Sequence, residues 1–333
     1  MGERLQRIKD KITRELGPII RKALEDPEIT EIMLNSDGNI WTEHFSKGME
    51  QVGAITPQAG QALLATIASS LGKEITEDQP SIEGELMLDG TPRIAGSIPP
   101  KTVGPQLTIR KHASKVFTLD DYVDASSLTP LARKYLKDAV EKRLNIMVCG
   151  GTGSGKTTFA NALINEISVL CPSDRLYILE DTREIQCSSR NFEHFKTSEA
   201  ESMDALVISS LRHRPDRIIV GEVRDGAALS LLESWNTGHE GGISTIHARK
   251  TSLKGAFLRL EYLLQKALPG TENGQLIGEA LDLIVTIEKQ GQRRLITSIT
   301  EVTCYNPEKA GYQTKAIEMT AADLIKKDNE GDS

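Results

Sequence analysis

The sequence predicts an α/β protein in two parts: an N-terminal α+β domain on an antiparallel sheet, then a P-loop domain with a mostly parallel sheet. Three observations predict it. Asp37-Gly38 and Asp89-Gly90 each sit between alternating segments, the mark of β-hairpins. Beyond residue 129 strands and helices alternate, as in a parallel sheet covered on both faces. Between the apolar run 145–149 and a segment of helical period lies the octet 150–157, Gly-Gly-Thr-Gly-Ser-Gly-Lys-Thr.

In the first domain, Leu5, Ile8, Ile12 and Leu16 recur at helical spacing until Gly17-Pro18 breaks the run, and a second short helix is expected to reach Leu24. The basic face of these helices admits two readings, a solvated face or contact with a membrane surface. Residues 29–34 and 39–45 read as strands about Asp37-Gly38, with 49–55 as a third and 58–71 as a helix. Residues 81–87 and 91–98 pair about Asp89-Gly90, and 106–110 closes the set. Residues 113–129 hold Asp, Ser and Pro without a clear period and place the inter-domain linker. The expected limits are 1–115 for the first domain, 116–128 for the linker and 129–333 for the second domain. There, strands are expected at 145–149, 175–179, 217–220 and 243–246. Phe159, Leu163, Ile164, Ile167 and Leu170 predict a helix over 158–170. Residues 283–288 and 294–303 read as a late antiparallel pair, and the polar end 326–333 as a frayed tail.

Composition narrows the function classes. A 333-residue chain with 38% hydrophobic and 26% charged residues has room for two cores. Its apolar runs fall short of the ~18 residues that span a bilayer, and charges interrupt any apolar stretch near the N-terminus. The net charge of −7 argues against a nucleic-acid coat. Cys149, Cys171, Cys187 and Cys304 form no Cys-x-x-Cys pair, so zinc is not expected, and a reduced cytoplasmic chain is the simple reading.

The octet carries the chemistry. Its glycines let backbone N–H groups turn inward around an anion, Lys156 can reach the β/γ-phosphates, and the Thr157 hydroxyl can hold Mg²⁺. Strand, glycine-rich loop and helix in this order bring the phosphates to a helix N-terminus. The other predicted strands also end in polar residues: Glu180-Asp181, Gly221-Glu222 and His247. Ligands bind beyond the carboxyl ends of an open parallel sheet, so one edge gathers a lysine, carboxylates and an imidazole around a γ-phosphate. Phosphoanhydride hydrolysis asks for that set: neutralised charge and a carboxylate to orient water. Each carboxylate alone reads as a solvated strand end, and His239 or His247 alone as a structural histidine.

Four ordered blocks resemble the secretion or traffic ATPases of type II secretion, type IV pili, type IV secretion and conjugation. They are GGTGSGKTT (150–158), YILEDTREIQ (177–186), LRHRPDRIIVGEVRDGAA (211–228) and TGHEGGISTIHA (237–248), similar to that family's Walker A, Asp box, Walker B and His box. The stretch EIMLNSDGNIWTE (31–43) is similar to the TrbB-like conjugal transfer branch. The resemblance implies a RecA-like second domain, a hexameric ring and ATP as the nucleotide. It implies that Gly151, Thr152, Gly153, Ser154, Gly155, Lys156, Thr157 and Thr158 cradle the phosphates. Glu222 matches the Walker B glutamate and Glu180 is the alternative base. Thr157, Glu180 and Glu222 are the candidate Mg²⁺ residues. His247 matches a γ-phosphate sensor, and His239 a link to a neighbour. Arg93 and Arg110 match arginines the family brings to the nucleotide, although each also reads as a plain strand arginine. Arg212, Arg214 and Arg224 are implied to face a subunit interface.

Two departures matter. Walker B ends in Gly221-Glu222 with no Asp at the strand end, and the paired-cysteine zinc module of many type II secretion ATPases is missing. The expectation is therefore a cytoplasmic ATPase, peripheral to the inner membrane, that drives a conjugative or type IV secretion apparatus through its membrane-embedded components. Direct nucleic-acid binding is not expected as its main role. The alternatives are a type II secretion or type IV pilus motor, a RecA-like nucleic-acid motor, a nucleotide-gated scaffold and a small-molecule kinase.

Overall fold

The computed structural model describes residues 2–44, 47–111, 116–248, 252–270, 273–291 and 293–317. The chain divides into two compact units, Met1–Lys115 and Val116–Ser333.

The first unit opens with helices α1 (Gly2–Glu15) and α2 (Gly17–Glu25). Gly17 stands at φ +67°, where a side chain would be strained, and it separates them. Strands β1 (Ile29–Leu34), β2 (Asn39–His44) and β3 (Gly48–Ala54) form a meander, followed by helix α3 (Pro57–Ser70). Strands β4 (Ser81–Glu85), β5 (Arg93–Ser97) and β6 (Gln106–Arg110) complete a six-stranded antiparallel sheet of order β3-β2-β1-β6-β5-β4. Ile12, Leu16 and Ile20 from the helices join Ile32, Leu34, Ile40, Leu63, Ile67, Ile94 and Ile109 in one core. The second hairpin is shorter than expected, because Leu86 and Leu88 turn back on the loop before Arg93.

The second unit begins inside the stretch read as a linker. Helix α4 (Leu119–Asp124) is closed by a capping box in which Thr118 and Asp121 exchange side-chain and backbone hydrogen bonds. Leu119, Tyr122 and Leu128 are buried in this unit's core. The expected linker 116–128 is thus corrected to packed structure, since a capped helix with a buried face spans it. Residues 112–115 lie outside the described residues.

Helix α5 (Pro130–Glu141) precedes β7 (Ile146–Gly150), then α6 (Lys156–Leu170), β8 (Leu176–Glu180), β9 (Phe192–Lys196), α7 (Met203–Ser210), β10 (Arg217–Val220), α8 (Ala227–Asn236), β11 (Ile243–His247), α9 (Leu253–Ala267), α10 (Gly274–Ala280), β12 (Leu283–Gln290), β13 (Arg293–Asn306) and β14 (Gly311–Ala316). The sheet order is β14-β13-β12-β7-β11-β10-β8-β9. From β9 to β12 neighbours are parallel, and β13 and β14 return antiparallel at one edge. Strands β7, β8 and β10 are buried along their whole length, as a sheet with covered faces requires. The expected fold class therefore stands: an antiparallel α+β unit, then a RecA-like, mostly parallel one.

Strands β9 and β14 were not expected from the sequence, and β13 runs past the expected residue 303 to Asn306. The expected tail 326–333, and Phe45 at the end of the expected second strand, lie outside the described residues. Among the described residues no helix is long and apolar enough to cross a membrane.

Candidate active site

The carboxyl edge of the parallel strands carries the candidate site. Strand β7 delivers the chain to the loop 151–155, and α6 starts at Lys156. Gly153 (φ +67°) and Gly155 (φ +93°) adopt left-handed backbone that only glycine enters without strain. Gly155 is the N-cap and has no side chain to satisfy the helix, so the first-turn N–H groups remain for an anion. Ser154 Oγ is buried without a hydrogen-bond partner, a further donor for that anion. Lys156 is 9% exposed and donates from Nζ to the Gly151 carbonyl across 2.9 Å. Thr157 and Thr158 follow in the first turn, both half-buried. The loop thus has the geometry of a phosphate cradle, with its lysine folded onto its own backbone.

His247 ends β11 opposite Gly150 of β7, and its Nε2 meets Thr152 Oγ1 at 2.6 Å. Burial and the nearby Lys156 charge hold its pKa below the ordinary imidazole value, so the ring is held neutral against the partial opposition of Glu222.

The two candidate glutamates differ sharply. Glu180 ends β8 and is 3% exposed. Both its oxygens accept from the backbone N–H groups of Glu184 and Ile185 at 3.1–3.2 Å, and His194 Nε2 lies 2.6 Å from Oε2. Glu222 follows β10 on a turn pinned to β11: Val223 N–H donates to the Thr245 carbonyl (2.9 Å) and the Thr245 hydroxyl to the Gly221 carbonyl (2.7 Å). Its side chain is 27% exposed and accepts a hydrogen bond at Oε2 from Arg224 Nη2 at 2.8 Å. Burial pushes the carboxyl pKa upward, but Arg224, Lys156 and His247 outweigh it and hold the group below its ordinary value.

Among the described residues, then, Lys156, Thr157, His247 and Glu222 converge on one edge, with Glu180 beside them. Arg224 belongs with this set, in place of the expected interface role alone. Arg294 was missed: its Cδ would stand 2.7 Å from a Cβ at Gly155, so its stem lies across the phosphate loop. Nothing marks it in the sequence, because β13 lies far along the chain from the loop it covers. His239, Arg212 and Arg214 precede β11 and β10 and so lie at the opposite, amino edge. There His239 N–H bonds the Ser234 carbonyl. In the first unit, Arg93 and Arg110 face each other across β5 and β6, and Glu85 and Glu31 face them from the flanking strands. Arg110 Nε lies 3.7 Å from Glu31.

Two of the thiols are held protonated by burial. Burial pushes Cys149 up to about 11 and raises Cys187, and all four cysteines are free. Among the described residues no three His, Cys, Asp or Glu side chains cluster as a metal site.

Comparison with known proteins follows the same line. The conjugal transfer protein TrbB of Rhizobium radiobacter is 45% identical over 309 residues, covering 93% of this chain and 94% of that one. The type IV secretion system protein PtlH of Bordetella pertussis is 30% identical over 315 residues, covering 83% of this chain and 91% of that one. The solved ATPase DotB of Legionella pneumophila shares the fold with a TM-score of 0.61 at 18% identity, covering 86% of this chain and 79% of that one. Residues 86–322 match the family described as type II/IV secretion system protein. The phosphate loop, the carboxylates at its side and a relative matched along nearly its full length lead to one conclusion: the chain belongs to the type II/IV secretion system protein family.

Proposed function

We propose that this chain powers a conjugative transfer or type IV secretion apparatus, working as a cytoplasmic ring of six copies against inner-membrane components. It is an ATPase, and the observation that carries this is the convergence of Lys156, Thr157, Glu222 and His247 on one sheet edge. The 45% identity to a conjugal transfer protein supports the choice of apparatus.

On nucleotide binding, the Lys156 ammonium leaves the Gly151 carbonyl for the β/γ-phosphates. The backbone N–H groups of Gly151, Thr152, Gly153, Ser154, Gly155 and Thr158, with the buried Ser154 hydroxyl, take phosphate oxygens. Thr157 fits Mg²⁺, which would neutralise phosphate charge; the open oxygen of Glu222 is given to water instead, and Glu180 must first give up its bonds to Glu184, Ile185 and His194. Glu222, ionised and with Oε1 open, accepts a proton from water as its oxygen attacks the γ-phosphorus. The bond to the β–γ bridging oxygen breaks, giving ADP and phosphate. Neutral His247 donates a hydrogen bond toward the γ-phosphate through the edge it shares with Thr152.

Phosphate release by wild type, Lys156→Ala and Glu222→Gln, measured with particle size with and without ATP, tests the reading. Loss of turnover in both variants and growth to a six-copy particle are expected. Equal turnover in all three proteins sinks the ATPase assignment to this site. Strong stimulation by DNA with a steep salt slope sinks the secretion role in favour of a nucleic-acid motor.

A further inference from the structure

The carboxyl edge holds a charged group, Arg224, that the hydrolysis above leaves unused. Arg224 lies two residues past Glu222 and bridges two strand ends. Its Nη2 donates to Glu222 Oε2 at 2.8 Å, and its Nη1 stands 3.6 Å from Asp181 Oδ2, just past β8. Asp181 is itself held on its other oxygen by the Thr197 hydroxyl at 3.1 Å. The guanidinium fork thus reaches from a carboxylate anchored on the β8–β9 side to the carboxylate at the end of β10. Among the described residues only one of the two Glu222 oxygens is taken, so the fork fixes the rotamer and leaves Oε1 for water. Among the described residues no other hydrogen bond or ion pair holds the Glu222 side chain, whereas the backbone of its turn is pinned to β11 at 2.7 and 2.9 Å. A side chain on a rigid turn, with one oxygen tethered and one open, is what a water-orienting carboxylate needs.

We propose that Arg224, braced by Asp181, is the positioning residue that orients Glu222 for attack by water. The inference rests on the reading of Glu222 given above. Arg224 has a side chain 57% exposed, so removing it leaves no hole in a core.

The test is a double-mutant cycle on the full chain with Mg-ATP, following kcat and KM separately, with Arg224→Ala, Arg224→Lys, Asp181→Asn, Glu222→Gln and the double variant Arg224→Ala/Glu222→Gln. Arg224→Ala is expected to lower kcat about tenfold with KM within about twofold of wild type, the pattern of an interaction used in the transition state. Arg224→Lys restores part of that loss, because it keeps the charge without the fork. Asp181→Asn lowers kcat by a smaller factor. In the Glu222→Gln background, Arg224→Ala changes kcat by less than about twofold, because the group it positions is gone. Wild-type kcat in Arg224→Ala overturns the proposal. So does a tenfold loss that persists in the Glu222→Gln background, and so does a rise in KM with kcat unchanged, which would put Arg224 on the nucleotide itself. Wild-type turnover in Glu222→Gln alone overturns the reading of Glu222, and that arm is independent of every Arg224 variant. Far-UV circular dichroism and thermal melting of each variant confirm that folded protein is compared.

Discussion

Glu180 and Glu222 end neighbouring strands of one sheet, yet their surroundings set them to different work. Glu180 is sunk to 3% exposure and both oxygens are engaged by backbone N–H groups and an imidazole. Glu222 keeps one oxygen open, beside a lysine and a neutral histidine. The same residue type at the same edge of a parallel sheet is, in one case, a clamp on the loop that follows and, in the other, a carboxylate with an oxygen open, as the proposed base needs. What separates them is the count of hydrogen-bond donors aimed at each carboxylate.

Substitution by glutamine at each site is the sharpest way to break that contrast. Glu222→Gln should lower phosphate release by about a hundredfold or more, the usual worth of a positioned general base, with a smaller loss of stability than Glu180→Gln. Glu180→Gln should do the reverse. It discards charge-assisted hydrogen bonds at a buried site, so urea denaturation should show a loss of about 1–3 kcal/mol, while turnover per folded molecule falls far less. Equal kinetic losses at both positions would erase the distinction.

Gly221 offers a finer probe, since it stands between the two. A Cβ there would meet Glu180 Cγ at 2.8 Å and Oε1 at 2.9 Å. Gly221→Ala should therefore displace the Glu180 clamp and cost about 1–3 kcal/mol of stability by overpacking, read from the denaturation midpoint. A neutral result would mean that the clamp gives way freely.

The smallest expected effect is a pH dependence at His247. Burial and Lys156 depress its pKa in the folded chain. The unfolded chain therefore takes up a proton first, so the stability contribution is whole above the ordinary imidazole pKa of about 6.5 and is lost as pH falls below it. Replacing His247 by Gln should flatten the fall in unfolding free energy in that window. The depressed Glu222 carboxyl works in the same direction, but its contribution disappears only below the ordinary carboxylate range, so the two are separable.

Much of this was legible in the residues. Asp37-Gly38 turns β1 into β2, and the octet 150–157 falls between a buried strand and a helix. Those signals are local: a left-handed turn needs glycine, and a buried strand needs an apolar run. Strands β9 and β14 were illegible because no residue of either is fully buried. Their residues are exposed or half-buried, so no alternation is written into Phe192–Lys196 or Gly311–Ala316. Helix α4 was hidden for another reason: its capping box pairs Thr118 with an Asp at the third position, inside a run that otherwise resembles a linker.

From the residues alone came the kind of ligand: a glycine-rich turn before a lysine and a helix is an anion cradle whatever surrounds it, because backbone N–H groups supply the site. Which carboxylate keeps an oxygen open beside that cradle was decided by tertiary structure. Donors reach Glu180 from Glu184, Ile185 and His194 and reach Glu222 from Arg224, and only strand order and the path of the β8–β9 loop bring them there. Likewise, His239 and His247 sit eight residues apart in one motif, yet the direction of β11 sends them to opposite edges of the sheet. A strand carries its two ends apart by its own length, and no residue type records which end meets the nucleotide.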